Sequence, residues 1–278
     1  MGQKLGTNKL MYYVNKFGFG KRTGIDLNGE ENGILFNIDK MGPVESATVS
    51  FGQGISVTPI QQITAVSAAI NGGFLYKPYI VSGINNNISN IYENKKKMVR
   101  RVISEDTSAL VRYALESVVA NGTGRNAYIE NYRVGGKTGT AQKVKDGKYM
   151  IGNYILSFIG FLPADRPEVI VYIAVDNPKG VTQYGGTVSA PIAKNILTSA
   201  IEILDIEEHS GGMLKEYMYF DSKYLVVPNV LGMDKKDATK ALKGFKINYT
   251  GNGDKVVYQS PRENTFQNEN TPITILLN

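Results

Sequence analysis

The 278-residue sequence contains no cysteine and only one histidine, His209. Without thiols the chain can form neither disulfides nor cysteine-based zinc sites, and thiolate catalysis is excluded. With one histidine, a metal centre would need a cluster of carboxylates, and the Asp and Glu residues show no spacing suited to one. We therefore expect no metal and no cofactor.

Long apolar runs are also missing. No stretch approaches the roughly 18 apolar residues of a membrane span, and nothing like a signal-peptide core follows Met1. The sequence as given predicts a soluble chain without an anchor or export signal. Its net charge of +6 would suit nucleic acid, an anionic membrane or an anionic wall polymer without choosing among them. A solvated, lysine-rich surface is the simplest explanation.

Two serine motifs are absent as well. No serine is followed by lysine three residues later, and none by asparagine two residues later. What the sequence does contain is Lys137-Thr138-Gly139-Thr140, after Gly135-Gly136. A lysine ammonium and threonine hydroxyls can hold a carboxylate, and a glycine lets the ligand approach the backbone. The backbone N–H of Thr140 is a candidate oxyanion donor.

Two other interpretations of this segment can be drawn from the residues alone, and only the second remains open. A phosphate-binding P-loop needs glycine where Asn131 stands and a helix directly after the lysine, whereas a strand is predicted there. The P-loop is therefore disfavoured. The segment could equally be an edge strand whose exposed Lys137 discourages aggregation.

Periodicity and capping signals predict an α+β architecture for the first 207 residues. Helices are expected over residues 9–17, after the capping box of Thr58 and Gln61, after Ser104 with Leu110 on its apolar face, and over 189–204. Strands are expected over 132–145, 149–161 and 169–175, with Asp146-Gly147 as a hairpin turn. Residues 21–57 and 76–102 are expected to be mostly irregular, with a surface loop at residues 85–87.

The remainder of the chain predicts a linker and a second, small domain. Residues 208–222 lose the regular pattern, and His209 is expected to be solvated there. Residues 223–278 predict a βαββ module with extended residues 225–228, a helix over 234–243 and strands near 256–258 and 273–277.

Several spaced motifs give residues 1 to about 205 a resemblance to a known family. The Lys-Thr-Gly triplet is the third motif of serine β-lactamases and penicillin-binding proteins. In the same order along the chain stand further matching stretches: Phe17 to Gly20, Thr23 to Asp26, Gly29-Glu30, Ser50 to Ile55, Thr58 to Gln61, Asn71 to Gly73, Gly122 to Gly124, Gly136 to Gln142, and Ser157 to Phe161 with Pro163. This part resembles the later half of the transpeptidase domain of class B penicillin-binding proteins.

The tail resembles a PASTA module, on residues that include Val227-Pro228-Asn229-Val230, Gly232 and Gln259-Ser260-Pro261. One such module resembles the sporulation-specific type more than division enzymes with two modules. The resemblance implies a partial penicillin-binding transpeptidase fold, an antiparallel sheet packed with helices, followed by the βαββ module. The domains would be 1–207, a linker over 208–222, and 223–278.

The resemblance implies acyl transfer in peptidoglycan synthesis, with stem peptides and β-lactams as ligands and no nucleic acid. Lys137, Thr138, Gly139 and Thr140 would bind the terminal carboxylate, and the Thr140 N–H would lie in the oxyanion hole. The family acts at the outer face of the bacterial cell membrane. Other cell-wall synthesis proteins, or an upstream fragment, would be partners.

The departure from the family lies in the missing Ser-x-x-Lys, which would normally precede the segment that begins at Met1. We therefore expect a truncated, split or engineered product that is not acylated by penicillin on its own. The alternative hypothesis is a non-catalytic peptidoglycan-binding protein that acts through its PASTA module.

Overall fold

The computed structural model describes residues 2–86, 89–145, 147–209, 211–215, 224–269 and 271–278. The chain forms two compact units, Met1–Lys215 and Glu216–Asn278. Within the described ranges, no helix is both long and apolar enough to cross a lipid bilayer.

The first unit combines helices and strands, as the α+β prediction requires. Its described elements are α1 (Gly2–Leu5), α2 (Thr7–Lys16), α3 (Pro43–Val49), α4 (Pro59–Ile70), β1 (Phe74–Tyr76), β2 (Gly83–Asn85), β3 (Asn90–Glu93), β4 (Met98–Arg101), α5 (Glu105–Ala120), β5 (Gly135–Lys145), β6 (Lys148–Leu162), β7 (Val169–Asp176) and α6 (Gly185–Leu204).

The central sheet of this unit has the order β5-β6-β7, and both pairs are antiparallel. The three predicted strands are confirmed, and Lys145 pairs with Lys148 at the end of the β5–β6 hairpin. The proposed turn residue Asp146 lies outside the described residues. Helix α6 packs across the sheet, and the Ser189 hydroxyl donates to the Leu156 carbonyl of β6 at 2.9 Å.

The core beneath α6 is built from apolar side chains of the sheet and the two long helices. Its fully buried members include Val119, Phe158, Leu162, Ala193 and Leu197. Branched aliphatic and aromatic side chains on one face of a sheet pack against a helix in this way because each element buries only one side. This core fixes the position of β5 relative to α5 and α6.

The capping predictions for two helices are confirmed. The Thr58 side chain accepts from the Gln61 N–H, and the Gln61 side chain accepts from the Thr58 N–H, which is the reciprocal arrangement of a capping box. Ser104 caps α5 by accepting from the Thr107 N–H. The sequence can predict these caps because each cap hydrogen bond joins two residues that are three positions apart.

Two regions expected to be irregular contain regular structure. Helix α3 lies within residues 21–57, where the Glu45 carboxylate accepts from the Gly42 N–H and Pro43 occupies the first turn. Residues 76–102 contribute to four short strands, in the pairs β1–β4 and β2–β3. The loop expected at residues 85–87 is partly strand, because β2 ends at residue 85; residue 87 lies outside the described residues.

The predicted apolar face of α5 is partly wrong. Leu110 is 70% exposed, whereas the polar residue Glu116 is only 3% exposed. Burial of Glu116 is possible because its carboxylate has charged and backbone hydrogen-bond donors from elsewhere in the unit. Helical periodicity alone cannot anticipate such partners.

The second unit contains the predicted βαββ elements and two more strands. It comprises β8 (Tyr224–Val226), α7 (Lys235–Ala241), β9 (Lys246–Thr250), β10 (Val256–Ser260), β11 (Phe266–Asn268) and β12 (Pro272–Leu277). Strand β12 lies between β10, to which it is antiparallel, and β9, to which it is parallel. Its core includes Val227, Leu242 and Ile275. Strands β9 and β11 were not predicted because their sequences are polar and short.

Candidate functional site

The Lys137 to Thr140 segment lies in the middle of β5, which continues as a strand to Lys145. No helix follows the lysine, so the P-loop interpretation is excluded by the local structure. Among the described strands, β5 pairs only with β6. A strand with one partner leaves alternate N–H and C=O groups of its other edge without a ladder partner. The segment therefore offers backbone donors as well as side chains.

Lys137 carries the positive charge of the site and is exposed. Its ammonium donates to the Thr138 carbonyl at 2.8 Å. An ammonium has three donors, so this contact leaves further donors for an anion that approaches the strand.

Two threonine hydroxyls of the segment contact neighbouring elements. The Thr138 hydroxyl lies 2.8 Å from the Thr123 hydroxyl, in the turn after α5. The Thr140 hydroxyl accepts from the Gly185 N–H, at the start of α6, at 3.3 Å. The site is thus built from β5 together with two adjacent chain segments. The sequence places Thr123 only within a motif shared with the family and gives no signal for Gly185.

Two glycines at the site lie where an added Cβ would collide with a neighbouring segment. A Cβ at Gly139 would collide with the Ser157 hydroxyl on β6. A Cβ at Gly185 would collide with the carbonyl oxygens of Ser157 and Gly139. Helix α6 therefore begins directly against the Lys-Thr-Gly strand, and any larger residue at Gly185 would push the two apart.

A partly buried ion pair joins the residues just before β5 to α5. The Arg133 guanidinium donates to both carboxylate oxygens of Glu116, at 3.0 and 2.7 Å. The hydrogen bond to Glu116 raises the pKa of Arg133 above its already high ordinary value, although burial opposes the shift. Arg133 also lies 3.4 Å from Asp165. The network joins the residues just before β5 to α5 and to the chain after β6.

The expectation that His209 is solvated is wrong. Its side chain is 22% exposed and its Nδ1 lies 3.3 Å from the Asp165 carboxylate. The backbone N–H of His209 donates to the Asn131 carbonyl. Farther on, the Met213 N–H donates to the Glu116 carboxylate at 3.1 Å. The chain after α6 therefore lies on the surface of the first unit. Local composition could not reveal this, because every partner is distant in sequence.

Within the described ranges, no group of three or more His, Asp or Glu side chains is placed to hold a metal ion. The chemistry available at the site is that of an ammonium, hydroxyls and backbone amides. These groups bind and stabilise anions.

Comparison with protein families gives two matches along the chain. Residues 1–198 match the penicillin binding protein transpeptidase domain. Residues 225–278 match the PASTA domain. The first match includes the whole Lys137 to Thr140 segment.

Curated proteins give the same result. Stage V sporulation protein D of Bacillus subtilis (strain 168) is 52% identical over 279 residues, which cover 100% of this chain and 43% of that protein. The peptidoglycan D,D-transpeptidase FtsI of Escherichia coli (strain K12) is 34% identical over 203 residues, which cover 72% of this chain and 33% of that protein. The chain therefore spans less than half the length of these relatives.

Solved structures agree with the sequence matches. Penicillin binding protein 3 from Mycobacterium tuberculosis, complexed with ampicillin, superimposes with a TM-score of 0.69 at 28% identity, over 78% of this chain and 51% of that one. Penicillin binding protein 2X from Streptococcus thermophilus gives a TM-score of 0.66 at 24% identity, over 99% of this chain and 42% of that one, and shows likeness of fold. The chain thus belongs to the penicillin-binding protein transpeptidase family, with a PASTA domain after its transpeptidase part.

Proposed function

We propose that this chain forms the carboxylate-binding part of a peptidoglycan D,D-transpeptidase. In that reaction a serine hydroxyl attacks the carbonyl of a D-Ala–D-Ala peptide bond and forms an acyl ester, and the terminal D-Ala leaves as the amine. The amine of a neighbouring stem peptide then attacks the ester, which forms the cross-link and releases the serine. β-Lactams acylate the same serine.

The observation that carries the proposal is the row of anion-binding groups on an edge strand. The Lys137 ammonium is exposed, and the hydroxyls of Thr138 and Thr140 lie on the same strand with the side-chain-free Gly139 between them. We assign the terminal carboxylate of the stem peptide to Lys137 and the two hydroxyls. The Thr140 N–H would donate to the oxyanion that develops on the attacked carbonyl.

The serine itself must come from residues outside these 278, because no serine here has a lysine three residues later. An upstream segment of the same protein or a separate fragment would supply it. Peptidoglycan lies outside the cell membrane, so we propose that the protein acts at the outer face of that membrane, with other cell-wall synthesis proteins.

The similarity to a stage V sporulation protein supports a role in the spore wall over a role in division. For the domains we propose 1–207 for the transpeptidase part, 208–222 for the linker and 223–278 for the PASTA domain. Within the proposed linker, the His209 side chain lies beside Asp165 and the Met213 N–H donates to Glu116. No contact or relative described above favours the non-catalytic alternative.

A titration of the ¹⁵N-labelled chain with N,N′-diacetyl-L-lysyl-D-alanyl-D-alanine tests the carboxylate assignment. We expect saturable shifts of the amide signals of residues 137–140. Lys137→Met should weaken binding about tenfold, since a hydrogen bond to a charged group contributes roughly 1.5–3 kcal/mol. The matched control is Lys148→Met, which removes an exposed lysine of the adjacent strand and should leave binding unchanged. Saturable shifts confined to other parts of the chain, or none, would contradict the assignment.

A further inference from the structure

Thr123 lies in a turn that two helices hold in place. The turn follows α5, and the N–H groups of Gly122 and Gly124 both donate to the Val118 carbonyl, at 3.1 and 3.0 Å. These bonds close the C-terminal end of α5 and fix the backbone on both sides of Thr123. The position of the Thr123 side chain is therefore set by α5.

The start of α6 holds the turn from the other side. The Asn126 amide donates to the Gly186 carbonyl at 2.8 Å. A Cβ at Gly186 would collide with the Thr123 carbonyl oxygen, so the two backbones are in direct contact. The turn is thus wedged between the end of one helix and the beginning of another.

The Thr123 hydroxyl lies at the surface, 2.8 Å from the hydroxyl of Thr138. Each hydroxyl has one proton and two acceptor lone pairs, so the pair can be arranged in two ways. If Thr138 donates to Thr123, a lone pair of Thr138 faces an approaching anion and repels it. If Thr123 donates to Thr138, the Thr138 proton is free to point at the anion.

We propose that Thr123 is a positioning residue that donates to Thr138 and so directs the Thr138 hydroxyl proton at the carboxylate of the ligand. This inference rests on the proposed function, because it assumes that Thr138 binds a carboxylate. A hydroxyl that accepts a hydrogen bond is also a stronger donor, because hydrogen bonds in a chain polarise one another. Thr123 would therefore favour carboxylates over neutral ligands without touching them.

Three variants of the full chain test the inference. Thr123→Val keeps the shape of the side chain and removes the hydroxyl, and Thr123→Ser keeps the hydroxyl. Thr198→Val is the matched control, because the Thr198 hydroxyl donates to the Lys194 carbonyl within α6, away from the site. The measurement is the dissociation constant of N,N′-diacetyl-L-lysyl-D-alanyl-D-alanine and of its C-terminal amide, with the urea midpoint as a check on folding.

We expect Thr123→Val to weaken binding of the carboxylate about fivefold, in line with the loss of one oriented hydrogen bond. Binding of the amide should change by less than about twofold. Thr123→Ser and Thr198→Val should bind the carboxylate like the unchanged chain. Such a pattern cannot arise from a general loss of packing, which would weaken both ligands.

Normal binding by Thr123→Val would overturn the inference and leave the proposed function intact. Equal weakening for the carboxylate and the amide, or no rescue by Thr123→Ser, would also overturn it, since either result indicates a purely structural role. If the unchanged chain does not bind the carboxylate, the proposed carboxylate site and the role of Thr123 are both wrong.

Discussion

The Glu116 carboxylate accepts two hydrogen bonds from the Arg133 guanidinium and a third from the Met213 N–H. These donors come from the residues before β5 and from the chain after α6, so one buried acid on α5 joins three parts of the first unit. Removing Glu116 takes the main partner from the Arg133 guanidinium, which is only 24% exposed and keeps Asp165 at 3.4 Å. Loss of one partner of a largely buried pair costs more than the pair itself contributes.

Glu116→Ala should therefore lower the free energy of unfolding of the first unit by about 2 kcal/mol, less than for a fully buried pair because Arg133 keeps Asp165 and some solvent contact. Urea titration followed by circular dichroism measures the change. The matched control is Arg166→Met, which removes the exposed ion pair between Arg166 and Glu168; exposed pairs contribute less than about 1 kcal/mol. If Glu116→Ala lowers the free energy of unfolding by no more than Arg166→Met does, the Glu116 network is not important for stability.

Stability in acid should depend on two carboxylates in the loop before α3. Asp26 accepts from the backbone N–H groups of Val81 and Ile80, which lower its pKa. Burial tends to raise the pKa of Glu30, but the hydroxyl and N–H of Thr23 and the N–H of Gly24 outweigh it and lower that pKa. Both groups thus titrate at lower pH in the folded chain than in the unfolded one.

A lowered folded-state pKa stabilises the folded chain above the unfolded pKa, which is about 4. This stability is lost as the pH falls through the folded pKa. The urea midpoint should therefore decrease from pH 5 towards pH 3, and it should decrease less steeply in Glu30→Gln. Glu31→Gln, at an exposed neighbouring position, serves as the control. If the urea midpoint of Glu30→Gln decreases with pH as steeply as that of the unchanged chain, Glu30 does not contribute to the loss of stability in acid.

Gly185→Ala should disturb the candidate site and the stability together. The added methyl group meets the carbonyl oxygens of Ser157 and Gly139, and overpacking of this kind costs about 1–3 kcal/mol. We expect a lower urea midpoint and altered amide shifts at residues 137–140. Ile203→Ala, on the same helix at a side chain that is 79% exposed, should change neither. Wild-type shifts in Gly185→Ala would mean that α6 does not set the position of β5.

A fluorescent penicillin should not label this chain covalently. Acylation needs an activated serine, and no serine here stands three residues before a lysine. Gel fluorescence after denaturation provides the measurement, with an intact penicillin-binding protein as the positive control. Stoichiometric labelling of the chain would show that another residue serves as nucleophile.

In the PASTA domain, Gln259→Leu should be destabilising. The side chain is buried, its Oε1 accepts from the Val230 N–H at 2.8 Å, and its Nε2 donates to the Pro228 carbonyl at 3.1 Å. Leucine removes the partner of the buried Val230 N–H and of the partly buried Pro228 carbonyl, at a cost of about 2 kcal/mol. Faster hydrogen exchange of the Val230 amide reports the loss. Val257→Ala, which changes an exposed side chain of the same strand, is the control. In this variant the Val230 amide should exchange at the same rate as in the unchanged chain.

Sequence patterns predicted the parts of the fold that depend on near neighbours. The Thr58 and Ser104 caps and the β5–β6 hairpin are of this kind, because their hydrogen bonds or turns span a few residues. The helix after Gly42 carries the same kind of signal in Glu45 and Pro43, and it could have been predicted.

Other features could not be predicted, because their partners are remote in sequence. Arg133 and Met213 donate to the Glu116 carboxylate, and the His209 side chain lies beside Asp165. The candidate site likewise has one part that the sequence predicts and one part that it does not. The spacing of residues 137–140 indicates the anion-binding strand, whereas the contact between Thr123 and Thr138 depends on how two helices pack against it.

The two ends of α6 differ in whether a larger side chain can be placed there, and this difference provides a means of observing the site. At Gly185 the helix contacts the Lys-Thr-Gly strand without room for one added carbon, while Ile203 is open to solvent. Because the sequence has no native thiol, a single cysteine in place of Ile203 would take a spectroscopic probe at one place only. A spin label there would report the mobility of the far end of α6 on binding of a ligand, without altering any residue of the site.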